Sequence, residues 1–369
     1  MAKPKVRYAV VGLGNFAQKA ILPAFEHARK TSQLVAFVSS DPKKLRKLAK
    51  SYDVEHCIDY DGLDALCASD AVDAVYIATP NHTHRGFVER VAPHGVHVLV
   101  EKPMAVTEED CEAMIRVCRD NACKLMVAYR LHFEEANLSA VEIVRKGRIG
   151  EPRFFHSTFS FQVRGDNIRT NPRGEGGGPL YDIGTYCINA ARYIFRDEPV
   201  EVVGMAARGA DARFARSDEQ VSAILRFPKE RLATFTVGFG AAATGFYEVV
   251  GDEGKLCVDP AYEYRGELAL ELTVGEGKPK RKKWKSRDQI APEIAYFSEC
   301  ILKGVEPEPS GVEGLADVRV IRALYRSIDE GRPVRLDELV KDARPTLAQE
   351  RSAPPIDDEP PTVNVQPES

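Results

Sequence analysis

The chain has 369 residues, 44% of them hydrophobic and 29% charged, with 51 Lys and Arg against 55 Asp and Glu. At about 150 residues per domain this is room for two domains with ordinary cores, and a net charge of −4 gives no bulk field for nucleic acid or an anionic membrane. No apolar run approaches the roughly 20 residues of a membrane helix, strand-like Val6–Val11 begins too early to leave room for a signal peptide, and eight cysteines without a C-x-x-C pair read as reduced, mostly buried thiols of a cytoplasmic protein.

In chain order, short Val/Ile/Leu/Ala runs recur at Val6–Val11, Leu34–Ser39, Ala74–Ala78, His97–Val100 and Lys124–Ala128. Runs without polar alternation suit strands covered on both faces. Helical stretches separate them, with start signals at Asp41-Pro42 and at Thr107-x-x-Asp110. Residues 1–128 are therefore expected to form a doubly wound parallel sheet of the Rossmann kind. From about residue 150 the texture changes to consecutive strands joined by short turns: Arg153–Phe161, Val200–Ala206, Gln220–Phe227, Leu232–Phe239, Tyr247–Val250 and Lys255–Val258. Helices are expected at Thr185–Phe195, Pro292–Lys303 and Gly311–Glu330. Residues 129–340 thus read as an α+β domain, an open and predominantly antiparallel sheet with helices on one face. The basic run Lys278–Lys285 reads as a solvated sheet-edge hairpin rather than a nucleic-acid site. The proline-rich stretch 341–369 is expected to be disordered or to hug the surface.

Gly12-Leu13-Gly14-Asn15-Phe16-Ala17 follows the first strand and opens a helix. In G-x-G-x-x-A the first glycine allows the tight turn, the second lets the backbone approach a pyrophosphate, and the small third residue lets helix and strand pack closely. The second strand ends in Ser39-Ser40 rather than in the acidic residue that binds the ribose of NAD, and Lys43 and Lys44 follow. That pattern favours NADP. Asp41 is either a helix cap or a displaced ribose ligand.

Two more loops fall at the carboxyl ends of strands, where such sheets bind ligands. They are Thr79-Pro80-Asn81-His82-Thr83-His84 and Glu101-Lys102-Pro103. Further on, Gly176–Tyr186 runs a triple glycine into a capped helix that places Asp182 and Tyr186 one turn apart on one face. No carboxylate or cysteine is spaced with His82 and His84 as a metal site requires.

With Tyr129-Arg130, these motifs stand in the order of the glucose–fructose oxidoreductase/inositol dehydrogenase (Gfo/Idh/MocA) family, which the chain resembles over about residues 6–335. Tyr186 stands where most of that family has histidine. Together with Tyr129-Arg130-Leu131-His132 it is most similar to the branch of glucose–fructose oxidoreductase and the aldose oxidoreductases. The resemblance implies NADP-dependent hydride transfer at a sugar carbon and a homodimer or homotetramer built through the C-terminal sheet. It implies cofactor contacts from Gly12, Leu13, Gly14, Asn15, Phe16, Ser39, Ser40, Lys44, Thr79, Pro80, Asn81, His84, Glu101, Lys102, Arg130 and Arg169. Ile168 departs from the tryptophan of glucose–fructose oxidoreductase, and the export signal and long N-terminal arm that helps trap its cofactor are not expected here.

In this reading Tyr186 is the base for oxidation and the acid for reduction. A free tyrosine titrates near about 10; an ammonium such as Lys102 at about 4 Å attracts a phenolate by roughly 4 kcal/mol at an effective dielectric of about 20, before desolvation opposes it. Asp182 orients a sugar hydroxyl, and Tyr129, Arg130 and His132 line the pocket. The expected activity is oxidation of an aldose at C1, with the hydride returned to a second sugar from a retained cofactor. A simple NADP-dependent sugar or dihydrodiol dehydrogenase is the nearest alternative, and a non-catalytic NADP-binding sensor is the alternative of another class.

Overall fold

The computed structural model describes residues 4–341, 343–356 and 360–365. In chain order the first strands and helices are β1 (Val6–Val11), α1 (Leu22–Ala28, after a π turn at Ala17–Ile21), β2 (Ser32–Val38), α2 (Pro42–Tyr52), β3 (His56–Ile58), α3 (Leu63–Ala68), β4 (Ala74–Ile77), α4 (His84–Val91), β5 (His97–Glu101), α5 (Glu108–Asp120) and β6 (Leu125–Ala128). There follow α6 (Glu135–Arg145), β7 (Pro152–Gln162), α7 (Thr185–Phe195), β8 (Glu201–Ala207), β9 (Gln220–Phe227), β10 (Arg231–Gly238), β11 (Gly240–Gly251), β12 (Gly254–Val258), β13 (Leu268–Val274), β14 (Lys280–Trp284), α8 (Ala291–Lys303), α9 (Gly311–Glu330) and β15 (Val334–Arg335).

The chain divides into two compact units. The first comprises the described residues of Met1–Arg130, Asp288–Leu315 and Ser352–Glu368. It holds a six-stranded parallel sheet in the order β3-β2-β1-β4-β5-β6. Strands β4 and β6 are buried along their whole length, which is why their sequence shows no polar alternation. Asp41 caps α2 by accepting from Lys43 N at 2.8 Å and Lys44 N at 3.2 Å. Thr107 caps α5 through Asp110 N, but the Asp110 carboxylate turns to Arg85, so only half of a capping box forms. The helix expected over Pro292–Lys303 lies in this unit and packs on α1, β1, β2 and β5, not in a second domain running from residue 129 to 340. Sequence continuity hid this, because the chain leaves the first sheet at β6 and returns to it after residue 287.

The second unit comprises the described residues of Leu131–Arg287 and Ala316–Arg351. Its nine-stranded sheet runs β14-β13-β12-β11-β7-β10-β9-β8-β15. Every adjacent pair is antiparallel except β7 and β10. In β9 buried and exposed residues alternate strictly, with Val221, Ala223, Leu225 and Phe227 inward. The basic run forms edge strand β14, where Lys282 lies over the Trp284 ring and pairs with Glu135.

The described part of the proline-rich tail lies along the surface, the second of the two arrangements expected for it. Arg344 pairs with Glu198, Arg351 N donates to Phe133 O, and Ala353 bridges to Asp288. Residues 342, 357–359 and 366–369 of that stretch lie outside the described residues. All eight cysteines are free and six are buried.

Candidate functional site

The strand order reverses between β1 and β4, and the loops after these two strands flank the switch point where open α/β sheets take their ligands. Gly12 has φ +93°, and a Cβ there would lie 2.7 Å from Ala78 O, so only glycine fits where the two loops approach. A Cβ at Gly14 would meet nothing within 4 Å, which leaves open space over the backbone of the phosphate loop. Beside it, both amide atoms of Asn15 are buried with no hydrogen-bond partner among the described residues. Buried amides are rarely left orphaned. An exposed loop backbone and an orphaned amide at a helix start fit a dinucleotide pyrophosphate. Leu13 O accepts from Gln18 Nε2 at 2.9 Å, which fixes the loop from below.

At the end of β2 the hydroxyl of Ser39 is nearly buried and accepts from Asp41 N at 3.2 Å; Ser40 is exposed and Lys44 half-buried beside it. Asp41 is a helix cap, which resolves one of the two readings its sequence position allowed.

The loops after β4 and β5 are tied together by His84. Its ring nitrogens lie 2.9 Å from Thr79 O and 3.1 Å from Met104 O, and the ring is fully buried. Burial holds its pKa below the ordinary histidine value. The neutral ring has one N–H, so it donates to one of these carbonyls and packs against the other, between the loops that carry Thr79, Pro80, Asn81 and Lys102. No group of three or more potential metal-binding side chains occurs among the described residues.

Behind these loops lies a cluster that the motifs did not reveal. Tyr76 Oη sits 2.8 Å from Glu101 Oε1 and 3.0 Å from Glu293 Oε1. One hydroxyl carries one proton, so two ionised carboxylates would leave one of these contacts without any. One carboxyl is therefore protonated. Burial and then the Glu101 charge push Glu293 well above the usual carboxylate range; burial also raises Glu101, but the Lys102 and Arg130 charges oppose it. Of the two carboxyls Glu293 is the one pushed further toward its neutral form, with Tyr76 Oη between it and Glu101. The other Glu101 oxygen accepts from Lys102 N at 3.2 Å. Arg130, 5% exposed, donates to Gln289 in the same unit, and Tyr129 beside it is buried. Glu293 escaped the sequence reading because an acid in the first turn of a helix is common, and its partners are more than 190 residues away.

In the second unit a π turn at Leu180–Gly184 precedes α7, and neither flanking residue, Pro179 nor Gly184, supplies a capping side chain. The capped helix expected there is thus replaced by a wider turn leading into α7. Arg169 Nε donates to Asp182 Oδ2 at 2.6 Å. This pairing joins one residue expected at the cofactor to one expected at the substrate, across 13 positions of loop that no helical or strand period links. Tyr186 is half-buried against the rings of Phe159 and Tyr262, 5.7 Å and 5.9 Å centroid to centroid. Tyr262 is held in turn by Ser157 at 2.7 Å. His132, expected to line a pocket, is 1% exposed, and its Nε2 faces Asn189 Oδ1 at 2.8 Å. Asn189 donates to Asp317, and Asp317 accepts from fully buried Arg192. The structure thus places His132 in a core polar network that anchors α7.

A phosphate loop at a sheet switch point, joined to a large open-sheet unit, defines a two-unit dinucleotide-binding oxidoreductase. The chain's relatives agree. Residues 6–129 match the oxidoreductase family with an NAD-binding Rossmann fold, and residues 138–257 match the GFO/IDH/MocA C-terminal domain. The chain is 35% identical to D-xylose 1-dehydrogenase [NADP(+)] of Haloarcula marismortui over 90% of its length and 93% of that protein. It is 28% identical to D-xylose 1-dehydrogenase (NADP(+)) 2 of Haloferax volcanii, over 89% of its length and 99% of that protein. Aldose-aldose oxidoreductase from Caulobacter crescentus, solved with glycerol, superposes with a TM-score of 0.86 at 38% identity, over 90% of this chain and all of that one. The chain belongs to the Gfo/Idh/MocA family of oxidoreductases.

Proposed function

We propose that the protein is an NADP-dependent oxidoreductase of aldose sugars that moves hydride between sugar C1 and the nicotinamide. The observation that carries the cofactor choice is the end of β2, which offers Ser39 and Lys44 while one oxygen of its nearest carboxylate, Asp41, caps α2. The sugar class is supported by relatives named as xylose dehydrogenases and an aldose-aldose oxidoreductase. When bound, the nicotinamide supplies the hydride-accepting carbon. Tyr186 removes the C1 hydroxyl proton in oxidation and returns it in reduction, and Lys102 stabilises the oxygen as its proton leaves. The Arg169 pair fixes Asp182, which accepts a sugar hydroxyl. Cofactor binding through Gly12, Leu13, Gly14, Asn15, Phe16, Ser39, Ser40, Lys44, Thr79, Pro80, Asn81, Glu101 and Arg130 and sugar contacts from Tyr129 complete the proposal.

Two modes of turnover follow: a retained cofactor reoxidised by a second sugar, as the name aldose-aldose oxidoreductase suggests for the structural relative, or release of NADPH, as the dehydrogenase names suggest. Mixing the purified protein with an aldose, then with a second sugar, tests between them. Reoxidation without added NADP supports the cycle, and a steady rise in free NADPH with added NADP supports the dehydrogenase. Absence of any reaction with aldoses contradicts both.

We also propose a homo-oligomer formed through the nine-stranded sheet. Val203 pairs with Ile224 across β8 and β9, and these two side chains, Met205, Leu232 and Phe154 are exposed. Such a patch on a sheet face marks an interaction surface. No helix among the described residues is long and apolar enough to cross a membrane. From the eight cysteines without a C-x-x-C pair we propose a cytoplasmic location.

A further inference from the structure

The phosphate loop and the end of β2 share a visitor from the far end of the chain. Gln18, 1% exposed, binds the backbone of Val363 at two points: Val363 N donates to Gln18 Oε1 at 2.7 Å, and Gln18 Nε2 donates to Val363 O at 3.0 Å. The same amide donates to Leu13 O of the phosphate loop. The next residue, Asn364, has φ +48°, a left-handed conformation that asparagine tolerates, and its Nδ2 donates to Asp41 Oδ2 at 2.5 Å. Asp41 Oδ1 already accepts from two amides of α2. Both oxygens of the carboxylate are therefore engaged, one by its own helix and one by the tail.

This matters because an acidic side chain beyond the second strand is the group that accepts the ribose 2′-hydroxyl of NAD, and the same charge opposes a 2′-phosphate. Asp41 is the acid nearest the end of β2. We propose that the C-terminal segment is a cofactor-selectivity element, with Asn364 occupying the Asp41 oxygen that would otherwise accept the ribose of NAD. The adenosine end of the cofactor then meets Ser39 and Lys44. Selectivity arises here by removing an acceptor from the wrong ligand as much as by building contacts to the right one. Gln18 supplies the anchor that keeps Asn364 in register with Asp41. The inference rests on the NADP reading above.

The test uses the full chain, an Asn364→Ala variant, and a chain ending at Ile356. Dissociation constants for NADPH and NADH are read from the cofactors' own fluorescence. The expected result is that the ratio of the NADH to the NADPH constant falls about tenfold in both altered proteins, chiefly through tighter NADH binding, about 1.4 kcal/mol. Adding Asp41→Asn, which keeps a capping side chain, to the shortened chain should restore the ratio. An unchanged ratio, or an equal shift in both constants, overturns the proposal. A full chain that itself prefers NADH contradicts the NADP reading instead, whatever the ratio does.

Discussion

Lys102 and Tyr186 carry the chemistry in this account, and their substitution separates binding from turnover. Lys102→Ala or Tyr186→Phe is expected to lower kcat by at least about 10²-fold, the usual contribution of a positioned acid or base, with the NADPH dissociation constant within about threefold of the parent (a tenfold change is about 1.4 kcal/mol). Steady-state kinetics beside a fluorescence titration checks it; a variant at near-parent rate removes its residue from the mechanism. Glu293 makes a different prediction. Its folded pKa is raised, so between about pH 4, where an unfolded glutamate ionises, and its folded value the native protein holds a proton that the unfolded chain has lost. Stability therefore falls as pH rises through that window. Glu293→Gln holds no such proton, so its melting temperature should gain on the parent from about pH 4 upward. A difference that stays flat to about pH 8 means that Glu293 is ionised in the folded protein. At this scale the sequence revealed residues whose neighbours in the chain are themselves unusual, such as Lys102 between Glu101 and Pro103. It concealed Glu293 and the Arg169–Asp182 pair, whose meaning lies in partners that no local period connects.

Among the elements, the β1–loop–α1 unit was legible because each position has a local requirement. Gly12 needs a positive φ and has no room for a Cβ. Gly12→Ala should cost at least about 2 kcal/mol through backbone strain and the clash with Ala78 O. Calorimetry and cofactor titration should show a lower melting temperature together with lost NADPH binding, and retention of both would mean that the loop reshapes freely. Strands β9 and β10 were legible through turn chemistry and alternation. Strand β14 is legible as the edge hairpin of the basic run, whereas β13 is not, because its Leu-Ala-Leu-Glu-Leu stretch suits a helix as well as a strand. The π turn before α7 has no sequence signature distinct from an α-helical start. Exposed apolar residues of the sheet give another test: Met205→Lys with Ile224→Lys should convert an oligomer to a monomer in light scattering coupled to size exclusion, and an unchanged mass assigns the interface elsewhere.

For the molecule as a whole, the two-part division was visible as a change of texture near residue 150, but the return of residues 288–315 to the first unit was not. That return places Glu293 behind Glu101 and Asp288 at the start of α8, where its Oδ1 accepts from Ile290 N and Ala291 N. The tail is likewise uncommitted in composition, with prolines and few aromatics, yet Gln18 holds Val363 at two points and Asn364 reaches Asp41 at the start of α2. Composition reports whether a segment can build a core, and says little about hydrogen bonds that seat an exposed segment on another surface. The proposed reaction passes hydride from an aldose to NADP with Tyr186 moving the proton. Rapid mixing of the NADP-loaded protein with D-xylose or D-glucose, followed at the absorbance of reduced nicotinamide, tests it in one turnover. The band should form in the parent protein and at least about 10²-fold more slowly in Tyr186→Phe; a loaded parent protein that gives no band with any aldose, or a variant that matches it, rules out this reaction.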